Sequence, residues 1–302
     1  MLPKAEAVAA ARAPRPRTLA EREPADFPPP WASAWGDDRF GLWAELQVSD
    51  IVQRLRWLEP GEFEMGSPKT EPERYPDEGP QHWVRLTQGF WLADTACTQA
   101  LWLAVMDGKN PSEFSEDPQN PVENVTWDDA AGFLKALASA WTEGCESRLP
   151  TEAEWEYACR AGTKTPFSFG KTITPEQVNY DGDRPYPGVA KGLDRRRTVP
   201  VKSLPPNAWG LYEMHGNVWE WCADGGLRRY EALKPGQVAE DPIQPQEQEP
   251  RALRVIRGGS WAYDALSARS ARRFADGRGG RIHDLGFRLA LRSSSTSPEP
   301  GY

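Results

Sequence analysis

"RGGSWAYDALSARSARRFADGRGGRIHDLGFRLAL" occupies residues 257–291. Trp261 stands near its start, and it closes on Leu285, Phe287, Leu289 and Leu291, an alternation with the period of a core strand. Between these ends the pattern stops. Small residues and arginines surround an uneven set of Tyr263, Asp264, Phe274 and His283. An unpatterned segment framed by patterned ends reads as a surface loop carried on fixed anchors.

The rest of the chain gives that segment its context. At 302 residues it is long enough for one large domain or two small ones. Its 14 Trp imply a sizeable core, and 29 Pro with 26 Gly favour many turns. The net charge of −8 argues against a general nucleic-acid surface. No apolar run is long enough for a membrane span. Residues 1–30 combine low hydrophobicity with Pro and charge and read as a disordered arm; 294–302 read as a flexible tail. Without an export signal the expected compartment is the cytoplasm. Cys97, Cys145, Cys159 and Cys222 are dispersed with no CxxC pairing and read as four buried thiols, a disulfide being the alternative that nothing in the spacing indicates.

Strands are expected over 40–46, 52–58, 61–67 and 82–94, with Val52, Leu55 and Trp57 sharing a face imperfectly and Phe63 and Met65 sharing another. Three helices have caps. Thr98 precedes "QALWLAVM"; Thr126 precedes "WDDAAGFLKALASAW"; Thr151 with Glu154 forms a capping box before "EAEWEYACRAG". Short helices, short strands and long loops, without βαβ alternation, indicate an irregular α+β domain over residues 31–293.

Candidate chemistry is sparse. His82, His215 and His283 are too few for a site built on several imidazoles. No GxSxG or phosphate-loop spacing occurs. In "NAWGLYEMHGNVWEWCAD" (207–224), Glu213 and Glu220 bracket a turn whose carbonyls, with those carboxylates, suit a hard cation; the alternative is a tight turn with Trp219 and Trp221 in the core. The C-terminal arginines could bind an anion, or could pin loops to carboxylates, with the acidic stretch 239–249 available to neutralise them.

Seven motifs in order, "GEFEMGSP", "DEGPQHWVRLTQGFWLADTACTQALWLAVM", "NPVENVTWDDAAGFL", "RLPTEAEWEYACRAG", "NAWGLYEMHGNVWEWC", "RVIRGGSWAYDA" and "DLGFRLAL", resemble the formylglycine-generating-enzyme (sulfatase-modifying-factor) family. The resemblance covers roughly residues 50–291 and implies a C-type-lectin-like fold of short strands, few helices and many loops. The family enzyme oxidises a cysteine with copper held by two cysteines after the "GGS" turn. Tyr263 and Ala268 fall at those positions, and a phenol and a methyl cannot replace two soft thiolates. The expectation is a fold retained, no copper and no enzymatic activity; a copper-dependent thiol oxidase is the enzymatic alternative. The family's structural Ca²⁺ site maps onto Glu213, the carbonyls of Gly216 and Val218, and Glu220.

The chain further resembles the variable proteins of diversity-generating retroelements. In these, copying errors at adenines rewrite asparagine-type codons of a C-terminal ligand-binding segment. The resemblance implies rewritten positions at Ala262, Tyr263, Asp264, Ser267, Arg272, Phe274, Ala275, Asp276, Gly277, Gly280, Ile282, His283 and Asp284. The implied scaffold is Arg257, Gly258, Gly259, Ser260, Trp261, Arg269, Ser270, Arg273, Gly286 and Phe287. Substituting the adenines of AAC or AAT never yields Lys, Glu, Gln, Met or Trp. Residues 262–284 contain none of the five, although elsewhere they make up roughly one residue in five. The expected function is non-enzymatic recognition of a protein or surface-glycan ligand; a fixed regulatory or scaffolding module of the same fold is the other alternative.

Overall fold

The computed structural model describes residues 23–293 apart from 143, 228, 231–232, 235, 245–248, 250 and 251. The expectations for residues 1–22 and 294–302 lie outside the described residues. In chain order the first seven strands are β1 (Ala34–Asp38), β2 (Gly41–Val48), β3 (Ile51–Leu58), β4 (Gly61–Met65), β5 (His82–Leu86), β6 (Phe90–Ala93) and β7 (Cys145–Arg148). The remainder are β8 (Trp219–Gly225), β9 (Ala239–Glu240), β10 (Leu253–Arg257), β11 (Arg273–Gly277), β12 (Leu285–Phe287) and β13 (Ala290–Ser293). Three helices, α1 (Gln99–Val105), α2 (Trp127–Trp141) and α3 (Glu152–Arg160), complete the regular structure with two short 3-10 turns.

All three helices start where their caps predict. Thr98, Thr126 and Thr151 accept from the amides of Leu101, Asp129 and Glu154, and the last two complete capping boxes. The apolar stripe of α2, Ala130, Phe133, Leu134 and Leu137, is buried as its period requires. Expected strand 82–94 divides at Gly89 into β5 and β6, which join different sheets. On β3 the expected face is corrected. Val52 is exposed, while Gln53 and Leu55 turn inward. Gln53 is tolerated there because its amide donates to Asp94 Oδ1 and to the Arg54 carbonyl.

The strands form a six-stranded sheet (β1-β2-β3-β6-β13-β7), a four-stranded sheet (β11-β10-β8-β12) and a three-stranded sheet (β4-β5-β9). Between the first two lies the main core, with Trp91, Phe133, Trp219, Trp221 and Phe287. A second core packs Phe63, Met65 and Val255 against Trp155 of α3. The closing alternation of the quoted stretch is two strands, not one. β12 runs parallel to β8, the chain then crosses at Arg288–Leu289, and β13 pairs with β6 and β7 in the other sheet. Burial is therefore continuous from Asp284 to Leu291 rather than alternating.

Order begins before Trp31. Phe27 stacks on Trp91 at 6.3 Å between ring centroids and meets Trp35 edge-on, so residues 23–30 belong to the packed domain and not to an arm. The Pro-rich composition hid one docking aromatic. Among the described residues no helix is long and apolar enough to cross a membrane.

Candidate binding face

The 257–291 segment is tied down by buried ion pairs. Arg273 makes a two-bond fork with Glu152, at 2.6 and 2.7 Å. Arg257 reaches Glu156 at 2.6 Å and the Ser270 carbonyl at 2.7 Å. Glu152 and Glu156 lie one turn apart on α3, which presents both to the segment from one face. Arg269 is held by Glu71 and Glu78, each at 2.6 Å, and Arg288 by Glu220 at 2.9 Å. Burial disfavours the charge of Arg257, Arg269 and Arg273, but these carboxylates outweigh it and raise each pKa. The arginines pin loops, as their number suggested. Arg257, Arg269, Arg273 and Arg288 draw on Glu71, Glu78, Glu152, Glu156 and Glu220.

Backbone contacts finish the frame. Gly259 has φ +73°, and a Cβ there would sit 2.8 Å from the Ser267 carbonyl, so the turn needs glycine. The 278–282 stretch docks on the start of α2: Trp127 N–H donates to the Arg278 carbonyl, and Arg278 and Arg281 pair with Asp128 and Asp129.

On this frame the side chains divide. Of the ten expected scaffold residues, nine are buried and only Trp261 is half-buried. Of the thirteen expected rewritten positions, ten are half-buried or exposed. Tyr263 and Phe274, each 38% exposed, flank the buried Trp219 with ring centroids at 5.5 and 5.9 Å. Arg272 lies between Phe274 and Tyr75, its guanidinium 3.7 Å from the Tyr75 ring centroid. Towards the other side, His283 tilts on Trp261 at 5.3 Å, and Phe114 meets Trp261 edge-on. Ala262, Ala275, Gly277, Gly280 and Ile282 add small or apolar surface.

Three expected surface positions are corrected. Ser267 is buried because Asp264 caps the turn Ala265–Ala268 and accepts from both the Ser267 amide and its hydroxyl. Asp264 is spent on that cap. Asp284 is 2% exposed: its carboxylate accepts from Ser260 Oγ at 2.5 Å, and burial raises its pKa despite that bond. Arg272 is only 8% exposed. Tyr75 and Phe114 belong to the same surface layer and were not assigned to it from sequence. Both come from distant loops with no local signal, while Trp219 lies in the core as its motif suggested and supports the layer from beneath.

The expected Ca²⁺ set does not fit a cation. Glu220 gives its oxygens to Arg288 Nε and NH2 and to Trp155 Nε1, so a guanidinium already supplies the positive charge. Glu213 Oε1 accepts from the Lys202 amide, and Oε2 is buried without a partner. With no cation beside it, burial pushes the Glu213 carboxyl up to about 8 despite the offset from Arg288. Elsewhere the carboxylates of Asp181, Asp183 and Asp194 converge, but each already faces a cation, Arg184, Lys191 or Arg196.

The copper positions likewise hold no thiol. The Tyr263 ring lies on Trp219, and Ala268 is buried with its carbonyl 2.6 Å from His215 Nδ1. All four cysteines are free; Cys97, Cys159 and Cys222 are buried as expected, whereas Cys145 is only half-buried. Cys159 packs against His215 and Ser270, where burial raises its pKa to about 12. Burial lowers His215 to about 4, so the neutral ring is a packed hydrogen-bonding group.

Comparison with known proteins places this geometry. The model of the sulfatase-modifying factor enzyme 1-like domain matches residues 47–293. The formylglycine-generating enzyme of Streptomyces coelicolor is 32% identical over 243 residues, 76% of this chain and 72% of that one. The chain spans less of other relatives: 44% of the bovine formylglycine-generating enzyme (34% identical, 57% of this chain) and 54% of the mouse inactive C-alpha-formylglycine-generating enzyme 2 (33% identical, 62% of this chain). Among solved structures, Treponema denticola variable protein 1 superposes with a TM-score of 0.67 at 27% identity, covering 83% of this chain and 99% of that one. PvdO from Pseudomonas aeruginosa gives 0.67 at 28%, covering 82% and 98%. The irregular α+β architecture is thus shared with folds of this type.

Proposed function

The chain belongs to the sulfatase-modifying factor enzyme 1-like family, and we propose that it is a non-enzymatic ligand-binding member whose 257–291 segment is diversified by a retroelement. The observation that carries this reading is the division of burial: nine of ten scaffold residues are buried, and ten of thirteen rewritten positions reach the surface. A frame of buried Arg–Glu pairs with variable side chains outside it lets substitution change recognition at little cost in stability. Similarity to Treponema denticola variable protein 1 supports the same reading. Tyr263 and Phe274 give rigid aromatic contact area, and Asp276, Arg272 and His283 add polar complementarity to a protein or surface-glycan ligand.

Loss of enzymatic chemistry follows from the donor set. A phenol and a methyl at the copper positions supply no soft ligand, and the four thiols are elsewhere. Relatives that are formylglycine-generating enzymes make copper-dependent thiol oxidation the competing reading. Oxygen uptake with copper and a cysteine peptide tests it, and no uptake is expected.

The gene's neighbourhood tests the diversification itself. A reverse transcriptase and a near-identical copy of the segment, differing only at adenines, are expected. A locus with neither, and an invariant segment across strains, would instead favour a fixed scaffolding module.

A further inference from the structure

Arg272 differs from the other arginines of its segment. Arg257, Arg269, Arg273 and Arg288 are each matched by a carboxylate at 2.6–3.3 Å. Arg272 is almost as buried, at 8% exposure, yet forms no ion pair with any described residue. Among the described residues its single hydrogen bond runs from NH1 to the Arg273 carbonyl at 2.6 Å, and its buried Nε finds no partner. The guanidinium is instead clamped between the Tyr75 ring at 3.7 Å and the Phe274 ring at 5.6 Å. Ring faces favour a cation but do not replace the bidentate acceptor that a dry guanidinium needs. Burial lowers the Arg272 pKa, whereas the paired Arg257, Arg269 and Arg273 have theirs raised.

A desolvated, uncompensated charge is costly unless something completes it. Asp77 and Glu78 act on Arg272 only at a distance, and Glu78 is already committed to Arg269. Phe274, one wall of the clamp, rests with the half-exposed Tyr263 on the buried Trp219, so the clamp adjoins the surface that carries Tyr263.

We infer that the ligand of this variant is a protein that presents a carboxylate, an Asp or Glu side chain, to Arg272 in the clamp between Tyr75 and Phe274. This rests on reading 257–291 as a ligand face, though not on how the segment is diversified. A protein carboxylate is favoured over an acidic sugar because two half-exposed aromatic rings, Tyr75 and Phe274, hold the cation and a third, Tyr263, shares Trp219 with Phe274, the pattern of aromatic and Arg anchors at protein interfaces. Tyr75 lies outside the rewritten segment, so one wall of the clamp is fixed while Arg272 and Phe274 can change between variants. Specificity for an acidic residue is then a property of this variant.

The probes are the blocked dipeptides acetyl-Phe-Asp-amide and acetyl-Phe-Asn-amide, titrated into the full chain while the Arg272 Nε–H resonance is followed by NMR. The Asp peptide should move that resonance, with the Asn peptide about tenfold weaker. R272Q should reduce the Asp peptide to the Asn level with no drop in melting temperature, and R272M serves as a second variant. Equal response to both peptides, or undiminished Asp-peptide binding by R272Q and R272M, would overturn the inference. So would a response of Arg272 to N-acetylneuraminic acid but not to the Asp peptide. Locus comparison and peptide titration fail separately: a locus without a reverse transcriptase does not alter the Arg272 response, and a silent Arg272 does not alter the locus.

Discussion

Arg273 and Glu152 are joined by two parallel hydrogen bonds across 121 residues of chain, between the edge strand that carries Phe274 and the first turn of α3. Both side chains are essentially sealed from solvent. Removing one partner leaves the other charge buried and unpaired, which costs about 3–5 kcal/mol. Glu152 also touches Arg257, so Glu152→Gln disturbs two cations at once. E152Q is expected to lose stability at the upper end of that range, measured by urea unfolding. A loss under about 1 kcal/mol, the level of an exposed pair, would show that the pair does not hold the segment.

The surface side chains should behave differently. Tyr263→Ala and Phe274→Ala remove rings that are 38% exposed, though both rest on Trp219. Each is expected to cost on the order of 1 kcal/mol, and His283→Ala less. Phe287→Ala, fully buried between Trp102 and Phe133, should cost about 3–5 kcal/mol. Comparing the three-residue variant with F287A in one thermal series checks this. Should the triple variant melt as low as F287A, the rings are core and the division of the segment into frame and face fails.

The helices and the frame were legible because their signals are local. Thr126, Asp129, Thr151 and Glu154 write caps within four residues, and the glycines of "RGGS" announce a tight turn. What could not be read is what depends on a distant partner. Ser267 and Asp264 looked like two surface polar groups until the cap between them closed. Tyr75 lies 197 positions before Arg272 in the chain, and nothing near Tyr75 marks it as the wall of a clamp. The mapped cation site failed for the same reason: Glu220 kept its carboxylate, but Arg288, 68 residues on, occupies it.

That occupancy predicts the response to chelators. With Arg288 supplying the charge at Glu220, EDTA should leave the melting temperature unchanged. Glu220→Gln should cost about 3–5 kcal/mol, since Arg288 would keep its bonds to the Ala93 and Tyr212 carbonyls but lose its counter-ion. A reversible drop in melting temperature with EDTA, restored by Ca²⁺, would reinstate a cation at Glu213 and Glu220.

Glu213 adds a pH signature that a bound cation would abolish. Its folded pKa is raised by burial to about 8, against an ordinary value of 4.5. Below pH 4.5 both states hold the proton and nothing is lost. Between 4.5 and about 8 the folded state keeps a proton that the unfolded chain has released, so stability falls as pH rises. Above about 8 both are ionised and the loss is complete, on the order of a few kcal/mol. Asp224 and Glu123, each raised by burial to about 7, add slopes of the same sign that end near pH 7. His215, lowered to about 4 from 6.5, opposes them: its stability is lost as pH falls below 6.5. Between about pH 7 and 8, of these four, Glu213 alone still contributes. Urea unfolding across that window should show falling stability in the natural chain and a flatter profile in E213Q. A metal-ligated Glu213 would be ionised throughout and show no such fall.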